Sequence, residues 1–293
     1  MLRKPARAAR INTFPLLAPS VAALLVWMTV PLAITLWFSF RRYNLLNPTL
    51  HGFAGFNNYR FLIADPALSH ILLTTIVLVV AILAITVSLG AVMAALFNIS
   101  FPGRGIARVL MISPFFVMPT VSALIWKNLL MHPVNGLFAA ISRGLGIPVI
   151  DWFGSLPLLS IIIIVSWEWM PFAFLILLTA LQSLDQEQLE AARLDGAGPV
   201  AIFFHIQIPH MARAISVVVM METIFLLGIF AEIYVTTAGG PGIATTNLPF
   251  LIYQRALLAF NVGSASAAGV IAIVLANIIA AFLIRTIAKR LDV

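Results

Sequence analysis

Uncharged or nearly uncharged stretches of about 20 residues, the length needed to cross a hydrocarbon core, recur along the chain. They lie near residues 16–38, 71–97, 107–129, 156–181, 211–234 and 263–286. This pattern predicts six transmembrane helices and an all-α fold, a polytopic membrane helical bundle. Arg108 and Lys127 fall near the ends of the third stretch, where long basic side chains can reach the headgroups. Pro31, Pro114, Pro119 and Pro171 fall inside spans. Neighbouring helices can satisfy the carbonyls that proline frees, so bent helices are expected. The apolar stretch from Leu16 is too long for the core of a secretory signal, and no convincing cleavage site follows it. It reads as the first span.

The polar segments between spans set the orientation. Arg3, Lys4, Arg7 and Arg10 precede the first span. Arg104, Arg108, Arg193, Arg213, Arg285, Lys289 and Arg290 fall on the same side. Arg41, Arg42, Arg60, Lys127, Arg143 and Arg255 fall on the other. Basic residues concentrate in cytoplasmic loops, so both termini are expected in the cytoplasm. Residues 39–70, 131–155 and 235–262 then face outward. Turn-forming runs at 101–105, 132–136 and 238–242 punctuate the loops. There is no internal repeat of the kind that marks many secondary transporters.

Composition agrees. Hydrophobic residues make up 62% of the 293, charged residues only 9%, and the mean hydropathy is +1.07. Soluble domains carry about 25% charged residues, so a soluble fold is excluded. The net charge of +7 belongs to the loops, and no nucleic-acid partner is implied. With no cysteine, disulfides and thiolate metal sites are ruled out. No G-x-x-x-x-G-K-[ST] phosphate loop occurs, so ATP cannot be cradled in that way. No nucleophile–base pairing is visible, and His205 and His210 read better as ordinary loop residues than as metal ligands. The chain is not expected to be an enzyme or to carry a cofactor or metal of its own.

One segment is conspicuously polar: SLDQEQLEAARLDGAGPVAIFFHIQIPH, within residues 182–210. Asp185 can cap a short helix, with Gln188 completing a capping box. Gly196 can end it in the left-handed conformation. Pro199 suits the first turn of a second helix, which Pro209 ends or bends. The result is a helix–Gly–helix elbow in which Ala191 and Ala192 would let another surface approach closely.

Glu190-Ala191-Ala192, three residues, Gly196, nine residues, Ile206, one residue, Ile208-Pro209 resembles the EAA loop of ABC transporter permeases of the carbohydrate-uptake, maltose/polyol type. Only Ile208 departs from the pattern, where leucine is usual. WMPFAFLILLTALQSL and EIYVTTAGGPGIATTNLPFLIYQRAL, on either side, resemble the same family's larger permease subunits. The resemblance implies a type I importer permease whose residues 183–209 couple to an ATPase through Glu190, Ala191, Ala192, Asp195, Gly196, Pro199, Ile206 and Pro209. It also implies a second homologous permease, two cytoplasmic ATPase subunits holding ATP and magnesium, an extracytoplasmic solute-binding protein, and a sugar or polyol substrate. The location implied is the bacterial inner membrane.

Glu168 and Glu222 lie near the middles of the fourth and fifth spans, with Glu232 nearer the outer end of the fifth. An intramembrane acid faces a bundle interior or a watery route. It can equally serve as a hydrogen-bonding link between helices. With Trp169, Phe172 and Phe225 beside them, and Tyr234 and Asn247 toward the outer mouth, the acids could line a sugar route. Phe172 is expected on the face of Glu168, and Phe225 and Ile229 on that of Glu222. A proton-coupled secondary transporter using Glu168 and Glu222 is the competing reading. In the last span, Gly263 with Ala267 and Ala265 with Gly269 form small-xxx-small pairs that favour close helix contact.

Overall fold

The computed structural model describes residues 14–47, 49 and 52–291. The N-terminal basic cluster Arg3–Arg10 lies outside them. The order of elements is α1 (Phe14–Ser39), β1 (Arg41–Arg42), β2 (Gly52–Phe53), α2 (Asn57–Ala64), α3 (Pro66–Asn98), α4 (Arg104–Ile112), α5 (Pro119–Ile125), α6 (Leu137–Gly144), α7 (Trp152–Ser155), α8 (Pro157–Leu181), α9 (Gln186–Leu194), α10 (Pro199–Ile202), α11 (Ile208–His210), α12 (Ala212–Leu226), α13 (Ala231–Thr236), α14 (Leu248–Tyr253) and α15 (Val262–Leu291). Short π-helical turns continue α5, α10 and α14.

Four helices, α1, α3, α8 and α15, are long and apolar enough to cross a membrane unbroken. The third and fifth predicted spans are not single rods. The third breaks between Phe116 and Pro119, where its halves meet at 106°. Val117 and Met118 are extended there, with ψ of 130° and 136°. The ring of a following proline excludes its predecessor from the helical region, which accounts for Met118. The fifth predicted span helixes only as far as Leu226 and resumes at Ala231, beyond an interruption that contains Gly228. A further bend of 66° separates Pro199–His210 from α12. It falls after Pro209, at Met211, so that proline sits inside a helical turn rather than at the bend.

α3 and α8 cross along much of their lengths and carry the core. Leu78, Val79 and Ile82 of α3 pack on Ile161, Ile162 and Val165 of α8. Nearer the elbow, Ala91 and Ala94 pack on Ala173, Phe174 and Leu177. Between these layers Gly90 lets the backbones touch: a Cβ there would sit 2.8 Å from that of Ala173 and 3.1 Å from the Phe174 nitrogen. Lipid is as apolar as leucine, so close packing rather than exclusion of water holds such helices together.

α15 packs on α1 by the same principle. A Cβ on Gly263 would lie 2.3 Å from the Arg41 carbonyl oxygen, and one on Gly269 would lie 3.7 Å from a Thr35 methyl. Gly263 and Gly269 thus allow close contact with β1 and α1, whereas Ala267 packs with Leu62, Ile71 and Leu251; the sequence pattern anticipated close contact but named no partner. Asn58 reinforces the junction by donating to the Ser39 and Arg41 carbonyls at 2.8 and 2.9 Å. At the same end of the bundle, the Asp65 carboxylate caps α3 by accepting from the Ala67 N–H at 3.0 Å. It also pairs with Arg255 at 3.0 Å.

Candidate functional site

The elbow is built by local chemistry. Asp185 accepts from the Glu187 N–H at 3.0 Å and starts α9. The expected return bond from Gln188 is not formed among the described residues. At the other end, the Ala197 N–H donates to the Ala192 carbonyl at 2.9 Å and the Gly196 N–H to the Arg193 carbonyl at 3.1 Å. This pair of bonds is the Schellman closure, and it requires the left-handed φ of +82° that Gly196 adopts. Pro199 opens α10, as expected.

Leu184, Leu189 and Ile202 are buried together, with Ala192, Ala197 and Ile206 packed against them. The elbow thus has a core of its own. His210 fastens its return to α8, its Nε2 lying 3.1 Å from both Ser183 Oγ and the Ala180 carbonyl. His205 Nδ1 lies 3.0 Å from the Ala201 carbonyl.

This packing divides the motif residues. Glu190, Ala191, Asp195, Gly196, Pro199 and Pro209 are exposed, whereas Ala192 and Ile206 are partly covered by the elbow's core. Of the alanine pair, Ala191 is exposed and Ala192 half-buried. The sequence reading also missed Leu194, Val200 and Phe204, which are 89%, 70% and 60% exposed. Apolar residues bordering a charged turn were the available signal.

At mid-depth, α8 brings together three of the expected pathway residues. Trp169 lies on Phe225 of α12, ring centroids 5.1 Å apart, and meets Phe172 at 6.1 Å. Phe115, absent from the sequence reading, completes the group: it stacks on Phe172 at 5.9 Å and meets Trp169 edge-on at 5.8 Å. Phe115 lies one residue before the last of its helical turn, which ends at Phe116, and Phe225 one residue before the end of α12 at Leu226. The rings therefore form a ledge beside both breaks.

The acids do not join that ledge. Glu222 is fully buried, and Thr86 of α3 donates to its Oε2 at 2.6 Å. Glu168 is buried beside Ser122 of α5 and Glu232 of α13. Among the described residues, one oxygen of each of Glu168 and Glu222 has no hydrogen-bond partner within 3.5 Å, and neither does the Ser122 hydroxyl. The expectation of carboxylates and aromatics on shared faces is corrected: Phe225 is 54% exposed, while Glu222, three residues earlier, is sealed. Burying a carboxyl inside protein costs less than turning it toward lipid, and the helix rotates accordingly. Ile229 is buried but lies beyond the end of α12, off its helical register.

Asn247 is likewise corrected from a mouth residue to a structural clamp. It is 1% exposed, donates to the Ile229 carbonyl at 2.6 Å and accepts from the Phe250 N–H at 3.0 Å. Tyr234 is half exposed and stacks on Phe230 at 5.6 Å, within a second aromatic group that includes Tyr253.

The described residues thus form a helical bundle with two broken spans and a polar elbow with its own small core. Residues 86–293 match the binding-protein-dependent transport system inner membrane component family, and the chain belongs to it. It is 31% identical to the probable ABC transporter permease protein y4oQ of Sinorhizobium fredii, over 91% of this chain and 86% of that one. It is 30% identical to the trehalose/maltose transport system permease protein MalF of Thermococcus litoralis, over 88% of each. The crystal structure of a bacterial alginate ABC transporter in complex with an alginate pentasaccharide-bound periplasmic protein contains a chain of the same fold. That chain aligns with a TM-score of 0.76 at 20% identity, over 92% of this chain and 91% of that one. The fold is that of a type I importer permease, and the relatives are transport components rather than enzymes. The proton-coupled secondary transporter reading finds no support in this membership.

Proposed function

We propose that this chain is the transmembrane subunit of an ATP-driven, binding-protein-dependent importer of a sugar, polyol or sugar derivative. It forms half of the translocation pathway with a second, homologous permease. A solute-binding protein delivers cargo at the end bearing α2 and α14, and ATP with its magnesium resides in two separate ATPase subunits at the other. The elbow end lies in the cytoplasm, as do both termini, and the membrane is the bacterial inner membrane. Family membership and the trehalose/maltose relative support the cargo class.

The observation that carries the coupling role is the elbow itself. A turn with its own core presents Leu194, Val200 and Phe204 beside the charges of Glu190 and Asp195. An apolar anchor ringed by polar groups is the form that energetic centres of protein interfaces take. Leu194→Asp is expected to lower co-purification of the ATPase by about tenfold or more, with the amount of chain in the membrane unchanged. Retention of the ATPase at the normal ratio would refute the docking role.

Orientation has its own measurement, made simple by the absence of native cysteine. Cysteine introduced at exposed Gln188 should react only with reagent on the cytoplasmic side. Cysteine at exposed Asn135 should react only from outside. The reverse labelling would invert the topology.

A further inference from the structure

Two carboxyls stand apart from the ledge and meet inside the protein. Glu168 of α8 and Glu232 of α13 are each 5% exposed, and their side chains are within hydrogen-bonding reach of one another. Both helices pack against α5, which places Ser122 beside Glu168. Ionised carboxyls only accept hydrogen bonds, so a bond between two of them contains a proton. Without it, two like charges would face each other where water cannot screen them.

Few other charges surround the pair. α8 has no second titratable side chain, and α13 has only Tyr234, half exposed in its aromatic group. α5 has none, but the π-helical turn that continues it carries Lys127, whose Nζ donates to the Val235 carbonyl of α13 at 2.8 Å. Of the other elements packed on α8, α3 offers only His70, exposed near its outer end, and α7 is capped by exposed Asp151. α12 offers Arg213 in its first turn and Glu222, which Thr86 holds. Arg104 and Arg108 of α4 donate to the Ile99 and Phe97 carbonyls at the elbow end.

The proton decides what α13 is tied to. Residues 227–230 interrupt the helix between it and α12, and its polar ties run instead to neighbours: Lys127 joins it to the end of α5, the acid pair to α8. Among the described residues, the Ser122 hydroxyl and one Glu168 oxygen have no hydrogen-bond partner within 3.5 Å. A donor therefore waits beside Glu168 for the moment the proton leaves. We propose that Glu168 and Glu232 form a proton-held latch between the fourth span and the outer half of the fifth. Protonated, the pair fixes α13 against α8. When the proton passes to water, Glu168 turns to the Ser122 hydroxyl, like charge repels Glu232, and α13 swings on residues 227–230. Two discrete arrangements of this kind are what a switch requires. The outer end of the subunit, where Tyr234 stands, thereby responds to pH. The latch belongs to this chain; only the importer's use of it rests on the reading above.

The test uses the assembled complex reconstituted in lipid, with its other subunits freed of cysteine. This chain has none, so Tyr234→Cys takes a single nitroxide label on α13. Spectra are recorded between about pH 6 and about pH 10. An immobile component is expected at the acid end, and its loss toward the alkaline end. Glu232→Gln keeps a bond to Glu168 through its amide N–H but carries no titrating proton, so the label should stay immobile throughout. Glu168→Gln should do the same, and it serves where the first variant fails to assemble. Ser122→Ala removes the waiting donor and should move the loss to higher pH. A label whose mobility is the same at every pH in the parent would overturn the latch. So would a pH response that survives both glutamine substitutions. Failure of the importer reading would show separately, as a preparation without ATPase, and leaves the label's response as the test of the latch.

Discussion

Gly196→Val is expected to abolish transport while leaving the protein in the membrane. The residue closes α9 at a φ of +82°, where a β-branched side chain costs more than about 1 kcal/mol. Nothing lies within 4 Å of a Cβ built there, so the penalty is purely conformational and confined to the turn. Relaxing it breaks the bonds from Gly196 and Ala197 back to α9. That in turn re-aims Leu194 relative to Val200. A docking surface displaced in this way should lose ATPase co-purification and uptake together, each by more than about tenfold. Gly196→Asn, which tolerates the left-handed region far better, should retain much of both. Equal uptake by the valine variant and the wild type would mean that the turn's geometry is irrelevant to coupling.

Gly90→Ala should instead strike at folding. The added methyl meets Ala173 Cβ at 2.8 Å and backbone at 3.1 Å, so α3 and α8 must separate locally. Overpacking of this kind costs about 1–3 kcal/mol, and in a bilayer no expulsion of water offsets the lost contact. The expected result is a lower thermal midpoint in detergent and a smaller membrane fraction. Adding Ala173→Gly should recover part of the loss, because it removes the nearer of the two clashes. If the single variant melts with the wild type, the close crossing of α3 and α8 contributes little to stability.

Much of this fold was legible because membrane insertion imposes a coarse rule on sequence. The apolar stretches containing α1, α3, α8 and α15 could be marked from length and charge alone. The elbow was legible for a different reason. Asp185, Gly196 and Pro199 each act on backbone within a few residues, and local chemistry needs no knowledge of neighbours. The broken spans were less accessible. Pro114 and Pro119 announced a bend in the third, but whether a helix bends or stops depends on which helices cover it. In the fifth, Gly228 was the only local hint.

The acids were hardest to place. Sequence located Glu168 and Glu222 in depth, yet the direction each faces follows from Thr86, Ser122 and Glu232 on other helices. Asn247 caps α14 locally through the Phe250 N–H, but its burial follows from its other partner, the Ile229 carbonyl 18 residues away, which the sequence does not place. Phe115 was overlooked because it reaches Trp169 and Phe172 only through the turn that precedes the break.

The interruptions carry one more consequence, for the life of the subunit before assembly. A helix broken at membrane depth leaves donors that lipid cannot satisfy. Among the described backbone bonds none engages the N–H of Met118 or of Phe230. Non-helical backbone persists in a bilayer only where protein or a watery cavity covers it. The interruption in the fifth span is covered from within, by Asn247 on the Ile229 carbonyl and by the rings around Phe230, whereas Met118 in the third is 69% exposed. The uncovered turn at Met118 is therefore the place where an isolated copy would meet lipid least well.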